Sequence, residues 1–319
     1  MYKKLKCLCP SPTLFSKSGL FKASKLFELT SKEVSYEEMQ EFNEKFDVLL
    51  VRFDKKIDEG IVNKLGVKYI ICPATGINHF SKELLINSEV KIFNLRNQYQ
   101  FLENVTATVE HTINLILSSI RNNKSMILNE RSELFLENKV RGNEIKGSKI
   151  GLIGLGRIGN KVAEICDFLG AKIYYYDPHI SSINKNFIKV NNILDLTDDF
   201  DIISVHANFD YSEPVLLNQS FFIKIKKLPL FVNTSRSELI DMNALLKSFD
   251  ENKIEKIAID VLPNESEEKN SLSSLFKYYA GNDNFILTPH IGGYTYESVE
   301  MTDNYVLGKF KEYYNENYS

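Results

Sequence analysis

The sequence predicts an α/β chain whose main element is an open, doubly wound parallel sheet. Three observations carry this. Short apolar runs of strand length alternate with polar, helix-like stretches along most of the 319 residues. The alternation restarts more strongly at Ser148, from which about six apolar strands follow with helical segments between them. A glycine-rich turn joins the first of those strands to its helix.

Taken in order, FDVLLV (46–51) reads as a buried strand and VKYIICP (67–73) as a second, with a helix pattern between. SKELLINSEVKIFNL adds a short helix and a third strand. In VTATVEHTINLILSSIRNN (105–123), Val109, Ile113, Ile116, Leu117 and Ile120 fall at helical spacing, and the length suits a spine between two lobes. The polar NKVRGNEIKG (138–147) reads as a loop. Then KIGLIG is a strand, RIGNKVAEICDFLG a helix ending in Gly170, and AKIYYYD a strand. DIISVHA, LPLFVNTS, KIEKIAID and NFILTPH are the later strands. There is no internal repeat.

Composition narrows the class. The length suits two ordinary domains. A net charge of -3 argues against a nucleic-acid partner or a polybasic membrane anchor. No apolar run approaches the roughly 20 residues that a bilayer demands. MYKKLKCLCPSP has no apolar core or cleavage site, so it does not read as a signal peptide. Cys7, Cys9, Cys72 and Cys166 form no framework, and Cys7-x-Cys9 lacks a second ligand pair, so no metal site is expected. The expectation is a reduced, cytoplasmic chain.

Gly154-Leu155-Gly156-Arg157-Ile158-Gly159 is a G-x-G-x-x-G turn set after a strand and opening a helix. Gly154 permits the tight turn, Gly156 lets the backbone approach a pyrophosphate, and Gly159 lets the helix pack on the sheet. The helix N-terminus offers N–H groups and partial positive charge to the phosphates. Asp177 ends the next strand, about 20 residues on, where a carboxylate accepts from both ribose hydroxyls and repels a 2′-phosphate. The expected cofactor is therefore NAD rather than NADP. His179, just beyond, reads as surface.

Three further polar groups lie after apolar strands, where ligands gather in open α/β sheets. Arg236 follows LFVNTS, Glu265 follows IAIDVLPN, and His290 follows FILTP. An imidazole titrates near neutrality and suits taking a hydroxyl proton as hydride leaves the carbon. A carboxylate beside it would fix its tautomer, and an arginine offers a planar fork to a substrate carboxylate. Each also has a plain structural reading as a surface or loop residue.

IKGSKIGLIGLGRIGNKVA, DIISVHA, FVNTSRSELID, IAIDVLPNE and LTPHIGGYTYES occur in that order. With them the chain, from about Val48 to Glu297, resembles the D-isomer-specific 2-hydroxyacid dehydrogenases, nearest their phosphoglycerate dehydrogenase-like branch. The resemblance implies that Arg236 binds the substrate carboxylate and carbonyl, and that Glu265 pairs with His290, the proton shuttle. It implies Asp260 at the nicotinamide carboxamide, the backbones of Thr234 and Ser235 along the cofactor, and His206 near it in a supporting role. In ICPATGINH (71–79), the amides of Ala74, Thr75 and Gly76 would hold the substrate carboxylate. VTATVEHTINLILSSIR resembles the family's inter-domain helix.

The implied architecture is a Rossmann-type NAD lobe, 104–291, and a smaller flavodoxin-like substrate lobe, 1–103 with 292–319, which close a cleft against water. It further implies a homodimer acting on a small 2-hydroxy or 2-oxo acid. The chain departs from the family where Ser237 stands in place of a glycine and Ser266 in place of a proline, and no regulatory module is expected after His290. Arg52 matches a position that can contact a substrate phosphate, although Asp54 would repel one, and Arg96 is the alternative residue to face the cleft. Phosphorylated and unphosphorylated substrates both stay open. An NAD(H)-sensing protein of the co-repressor type is the rival reading. A formate-type reaction loses ground because Thr288-Pro289-His290 lacks the glutamine such sites use.

Overall fold

A computed structural model describes residues 4–87, 89–128, 141–180, 186–263 and 277–318. The chain divides into two compact units, one of Met1–Val105 with Tyr294–Ser319, the other of Thr106–Pro263 with a segment ending at Gly293.

In the smaller unit, β1 (Lys6–Cys9), β2 (Glu28–Ser31), β3 (Val48–Leu50), β4 (Tyr69–Ile71) and β5 (Lys91–Phe93) pair in parallel in the order β2-β1-β3-β4-β5. That is the flavodoxin-like order. Alternation along the strands serves two cores. Cys7, Cys9, Val48, Leu50 and Ile71 meet Ala23, Phe27, Val306, Leu307 and Phe310 on one face. Leu8, Leu49, Ile70 and Cys72 meet Met39, Ile61 and Leu65 on the other. The strand readings at 46–51 and 67–73 shrink to three residues each. Neither β1 nor β2 was anticipated: KCLC is short, and ELTS is a polar edge strand.

In the larger unit, β6 (Lys149–Ile153), β7 (Lys172–Tyr176), β8 (Ile188–Lys189), β9 (Ile202–Val205), β10 (Leu228–Asn233), β11 (Ile254–Ile259) and β12 (Phe285–Leu287) form one parallel sheet, in the order β12-β11-β10-β9-β6-β7-β8. This is the Rossmann order with a seventh strand added, and its direction of winding reverses between β6 and β9. Helices Ala107–Ile120 and Arg157–Phe168 cover one face through Leu115, Ile116, Ile120, Val162 and Ala163. Helices Gln219–Lys224 and Met242–Asp250 cover the other through Phe221, Phe222, Leu245 and Phe249.

All four cysteines are buried core residues. Burial pushes the thiols of Cys9, Cys72 and Cys166 up to about 12, which keeps them protonated and unreactive. Among the described residues no helix is long and apolar enough to cross a membrane.

Phe231 on β10 is fully buried, whereas Phe168 at the end of its helix is 88% exposed. Phe231→Ala should lower unfolding free energy in denaturant titrations by about 3–5 kcal/mol. Phe168→Ser should change it by less than about 0.5 kcal/mol. Equal effects would show that the sheet face around Phe231 is not a packed core.

Candidate active site

The glycine turn follows β6 at the point of reversal. Gly154 has φ +94°, a conformation that side chains resist, and a Cβ there would approach the backbone nitrogen of Ala207 to 2.6 Å. At Gly159 an added Cβ would lie 2.2 Å from the Gly154 carbonyl oxygen, so helix and turn touch directly. Gly156 instead faces open space, with nothing within 4 Å of an added Cβ, and it starts helix Arg157–Phe168 without any side-chain cap. Close packing behind and room in front make a cradle that fits a dinucleotide pyrophosphate at a helix N-terminus.

Asp177, just past β7, ties this turn together. Its Oδ2 accepts from Leu155 N at 2.8 Å, and its Oδ1 accepts from His179 N and Ile180 N, both at 2.9 Å. A carboxylate has about four acceptor positions, so room remains for roughly one more donor such as a ribose hydroxyl. Arg157 and Ile158 form the first turn of the helix.

His206 lies just beyond β9 with its Nε2 2.9 Å from Ser204 Oγ, and its buried Nδ1 has no hydrogen-bond partner. Burial pushes its pKa down to about 4, so at neutral pH the ring carries no charge to offer a phosphate. Its backbone supports Gly154 from behind.

After β10, buried Asn233 shapes the next loop. Its Oδ1 accepts from Ser235 N at 3.0 Å and Ser235 Oγ at 2.8 Å, and its Nδ2 donates to Arg236 O at 3.0 Å. The sequence reading passed over Asn233, a polar residue ending an apolar strand. Thr234 Oγ1 is 2.7 Å from Thr112 Oγ1. Arg236 is half-buried and donates from Nη1 to Ser235 O at 2.6 Å. Ser237 opens the short helix Ser237–Leu239 without a positive φ, so serine fits where the family has glycine.

Asp260 follows β11 and is 1% exposed. Its Oδ1 accepts from Thr288 Oγ1 at 2.5 Å and Ile291 N at 2.9 Å, and its Oδ2 accepts from Gly292 N at 2.8 Å. His111 Nε2 lies 3.3 Å from Oδ1 and 3.0 Å from Thr288 Oγ1. Burial alone would push this carboxyl up. The hydrogen bonds from His111, Thr288, Ile291 and Gly292 outweigh burial and hold it below the usual value. Asp260 was expected beside a cofactor amide; in this structure it shapes the loop, and its Oδ2, which among the described residues accepts from Gly292 N alone, keeps one acceptor position.

The same loop carries His290, whose φ of +53° is uncommon for a side-chain-bearing residue. His290 N donates to the Asp260 carbonyl at 2.9 Å, which holds the strained residue in place. Thr108, His111 and Thr112 make a polar stripe on one side of helix Ala107–Ile120. The sequence reading took that helix as a spine and missed the stripe, although its i, i+3, i+4 spacing was visible.

Glu265 lies outside the described residues. In the smaller unit, Ala74 N is spent on Cys72 O at 2.7 Å, which leaves the amides of Thr75 and Gly76 as the better candidates for an anion. Arg52, the candidate phosphate contact, is 5% exposed and paired with Asp303 at 2.5 Å. Arg96 is exposed.

Residues 113–292 match the family model described as D-isomer specific 2-hydroxyacid dehydrogenase, NAD binding domain. The chain belongs to that dehydrogenase family. Within it, the D-3-phosphoglycerate dehydrogenase of Haemophilus influenzae is 34% identical over 172 residues, 53% of this chain and 41% of the relative. The hydroxypyruvate reductase of Thermotoga maritima is 26% identical over 290 residues, 89% of this chain and 90% of the relative. The chain spans about half the length of the first curated dehydrogenases it matches. The fold is that of D-lactate dehydrogenase from Aquifex aeolicus, solved with NAD and lactic acid, at a TM-score of 0.81 and 20% identity over 98% of this chain and 96% of that one.

The neutral, buried His206 has a consequence for the NAD-binding unit. Its folded pKa, about 4, is below the ordinary 6.5, so the unfolded chain binds the extra proton first. Its contribution to stability should be intact above about pH 6.5 and lost as the pH falls toward 4. Urea unfolding between pH 7 and 4 should show that decline, and His206→Asn should flatten it. An unchanged slope in the variant would place the titrating group elsewhere.

Proposed function

We propose that this chain is an NAD-dependent D-2-hydroxyacid dehydrogenase acting on the CH–OH group of a small 2-hydroxy or 2-oxo acid. The observation that carries the reading is the shared sheet edge of the larger unit. The nucleotide cradle at Gly154–Gly159 and the loops bearing Arg236 and His290 all follow parallel strands at their C-terminal ends. The relatives named above are dehydrogenases and reductases, which disfavours the rival reading as a co-repressor-type sensor.

The nicotinamide, when bound, supplies or accepts the hydride. The cradle amides and helix N-terminus hold the pyrophosphate, Asp177 accepts from the ribose, and the backbones of Thr234 and Ser235 run along the cofactor. Arg236 takes the substrate carboxylate and polarises the carbonyl with its planar fork. His290 holds the proton at the substrate oxygen: it gives the proton up on reduction and takes it back on oxidation. Glu265 pairs with His290 in this reading, and the amides of Thr75 and Gly76 recognise the carboxylate. The reading carries forward from the resemblance a cytoplasmic homodimer with a small-molecule partner.

NADH oxidation followed by absorbance against hydroxypyruvate, glyoxylate, pyruvate and branched 2-oxo acids should show turnover on at least one. Silence across the panel despite tight NADH binding would sink the reading. His290→Ala should lower kcat by about 10²–10⁴-fold while NADH affinity, read by fluorescence, stays within about twofold. A parallel loss of affinity would make His290 structural. Arg236→Lys should raise KM by about tenfold or more, because an ammonium cannot reproduce the fork; unchanged kinetics would remove Arg236 from the site. Asp177→Ala should relax the preference for NADH over NADPH, and an unaltered preference would assign Asp177 to stapling the turn alone.

A further inference from the structure

The smaller unit holds a buried ion pair that the proposed chemistry does not use. Arg52 stands at the C-terminal end of β3, next to the loop that leaves β4, and its Nη1 makes a long hydrogen bond of 3.4 Å to Pro73 O. Its charge is already committed. Nη2 donates to Asp303 Oδ1 at 2.5 Å and lies 3.4 Å from Thr302 Oγ1. The guanidinium covers the Phe15 ring at 5.1 Å from its centroid. The paired side chains of Arg52 and Asp303 are 6% and 0% exposed.

Asp303 is fixed from its other side as well. Its Oδ2 accepts from Ser16 N and Ser16 Oγ, both at 2.8 Å. Gly19 leaves it room, since a Cβ there would come within 2.6 Å of Oδ2. Nearby, Asp54 Oδ2 accepts from Ser11 Oγ at 2.5 Å and lies 3.5 Å from Lys55 Nζ. This strand end therefore holds two carboxylates against Arg52 and Lys55.

At this strand end Arg52 already faces Asp303 and Lys55 already faces Asp54. Drawing Arg52 toward a phosphate would leave the Asp303 carboxylate buried and uncompensated, a costly state. A phosphate beside Asp303 and Asp54 would also meet like charge. We propose that Asp303, by holding Arg52, sets the substrate class: a 2-oxo acid whose only anionic group is its carboxylate. This rests on the dehydrogenase reading and names the substrate class for it.

The test compares NADH oxidation by the full chain on hydroxypyruvate and on its 3-phosphate. The unphosphorylated acid should have the higher kcat/KM by about tenfold or more. A preference for the phosphate would overturn the inference. Asp303→Asn should shift the ratio toward the phosphate by releasing Arg52. Because that variant risks unfolding, the Arg52→Leu/Asp303→Leu pair gives a second reading: with both charges gone, the wild-type ratio should persist. A ratio that falls further against the phosphate in the double variant would show that Arg52 had been serving it.

Calorimetric titration of the NAD⁺-loaded chain with D-glycerate and 3-phosphoglycerate provides a readout without turnover. Glycerate should bind at least as tightly, and tighter 3-phosphoglycerate overturns the inference. If neither binds and no 2-oxo acid turns over, the dehydrogenase reading fails first and takes this inference with it.

Discussion

Parallel pairing forces all seven strands of the larger sheet to finish on one edge, and the candidate site is a product of that constraint. The loops after β6, β9, β10 and β12 have no alternative but to meet there. Reversal of the winding between β6 and β9 opens a crevice at the glycine turn. The chain then spends buried polar groups on fixing those loops. Asn233 holds the one after β10, and Asp260 the one after β12. Every polar side-chain atom of the two has a hydrogen-bond partner, which offsets the cost of burial.

The two buried aspartates show how much context decides. Asp260 gathers mostly neutral donors, and those donors outweigh burial. Asp303 gathers Arg52 and Ser16, yet burial still pushes its carboxyl up from the ordinary value. The first shapes a loop at the larger sheet's edge. The second ties helix Lys17–Leu26, strand β3 and helix Tyr296–Tyr318 into one body.

Much of this was legible in the residues. The later strands could be read because both faces of a parallel sheet are buried, so KIGLIG, DIISVHA and LPLFVNTS are nearly continuous apolar runs. The glycine turn was legible because its three glycines answer three separate steric demands. What could not be read is where long-range partners lie. Nothing near Arg52 in the chain announces Asp303, 251 positions away, and a spacing rule can only place an arginine at a strand end. Strand β1 escaped for a related reason: KCLC is too short to declare a period, and only its neighbours β2 and β3 make it a strand. The polar stripe on helix Ala107–Ile120 was visible as spacing, but its meaning depended on Asp260 and Thr288.

The way the smaller unit is closed bears on how the chain comes to be folded. Its sheet is complete by Phe93, yet the face that holds Cys7, Val48 and Leu50 is covered by Val306, Leu307 and Phe310. The start of helix Lys17–Leu26 is likewise anchored by Asp303. On a ribosome the first hundred residues therefore emerge with this face covered only in part, by Ala23 and Phe27. The larger unit, nearly continuous in sequence, is synthesised while they wait. Local contacts can settle early, whereas these must bridge nearly the whole chain. For that interval the nascent chain carries an apolar sheet face whose covering is incomplete, and such exposed surface is what makes partly folded chains prone to aggregate.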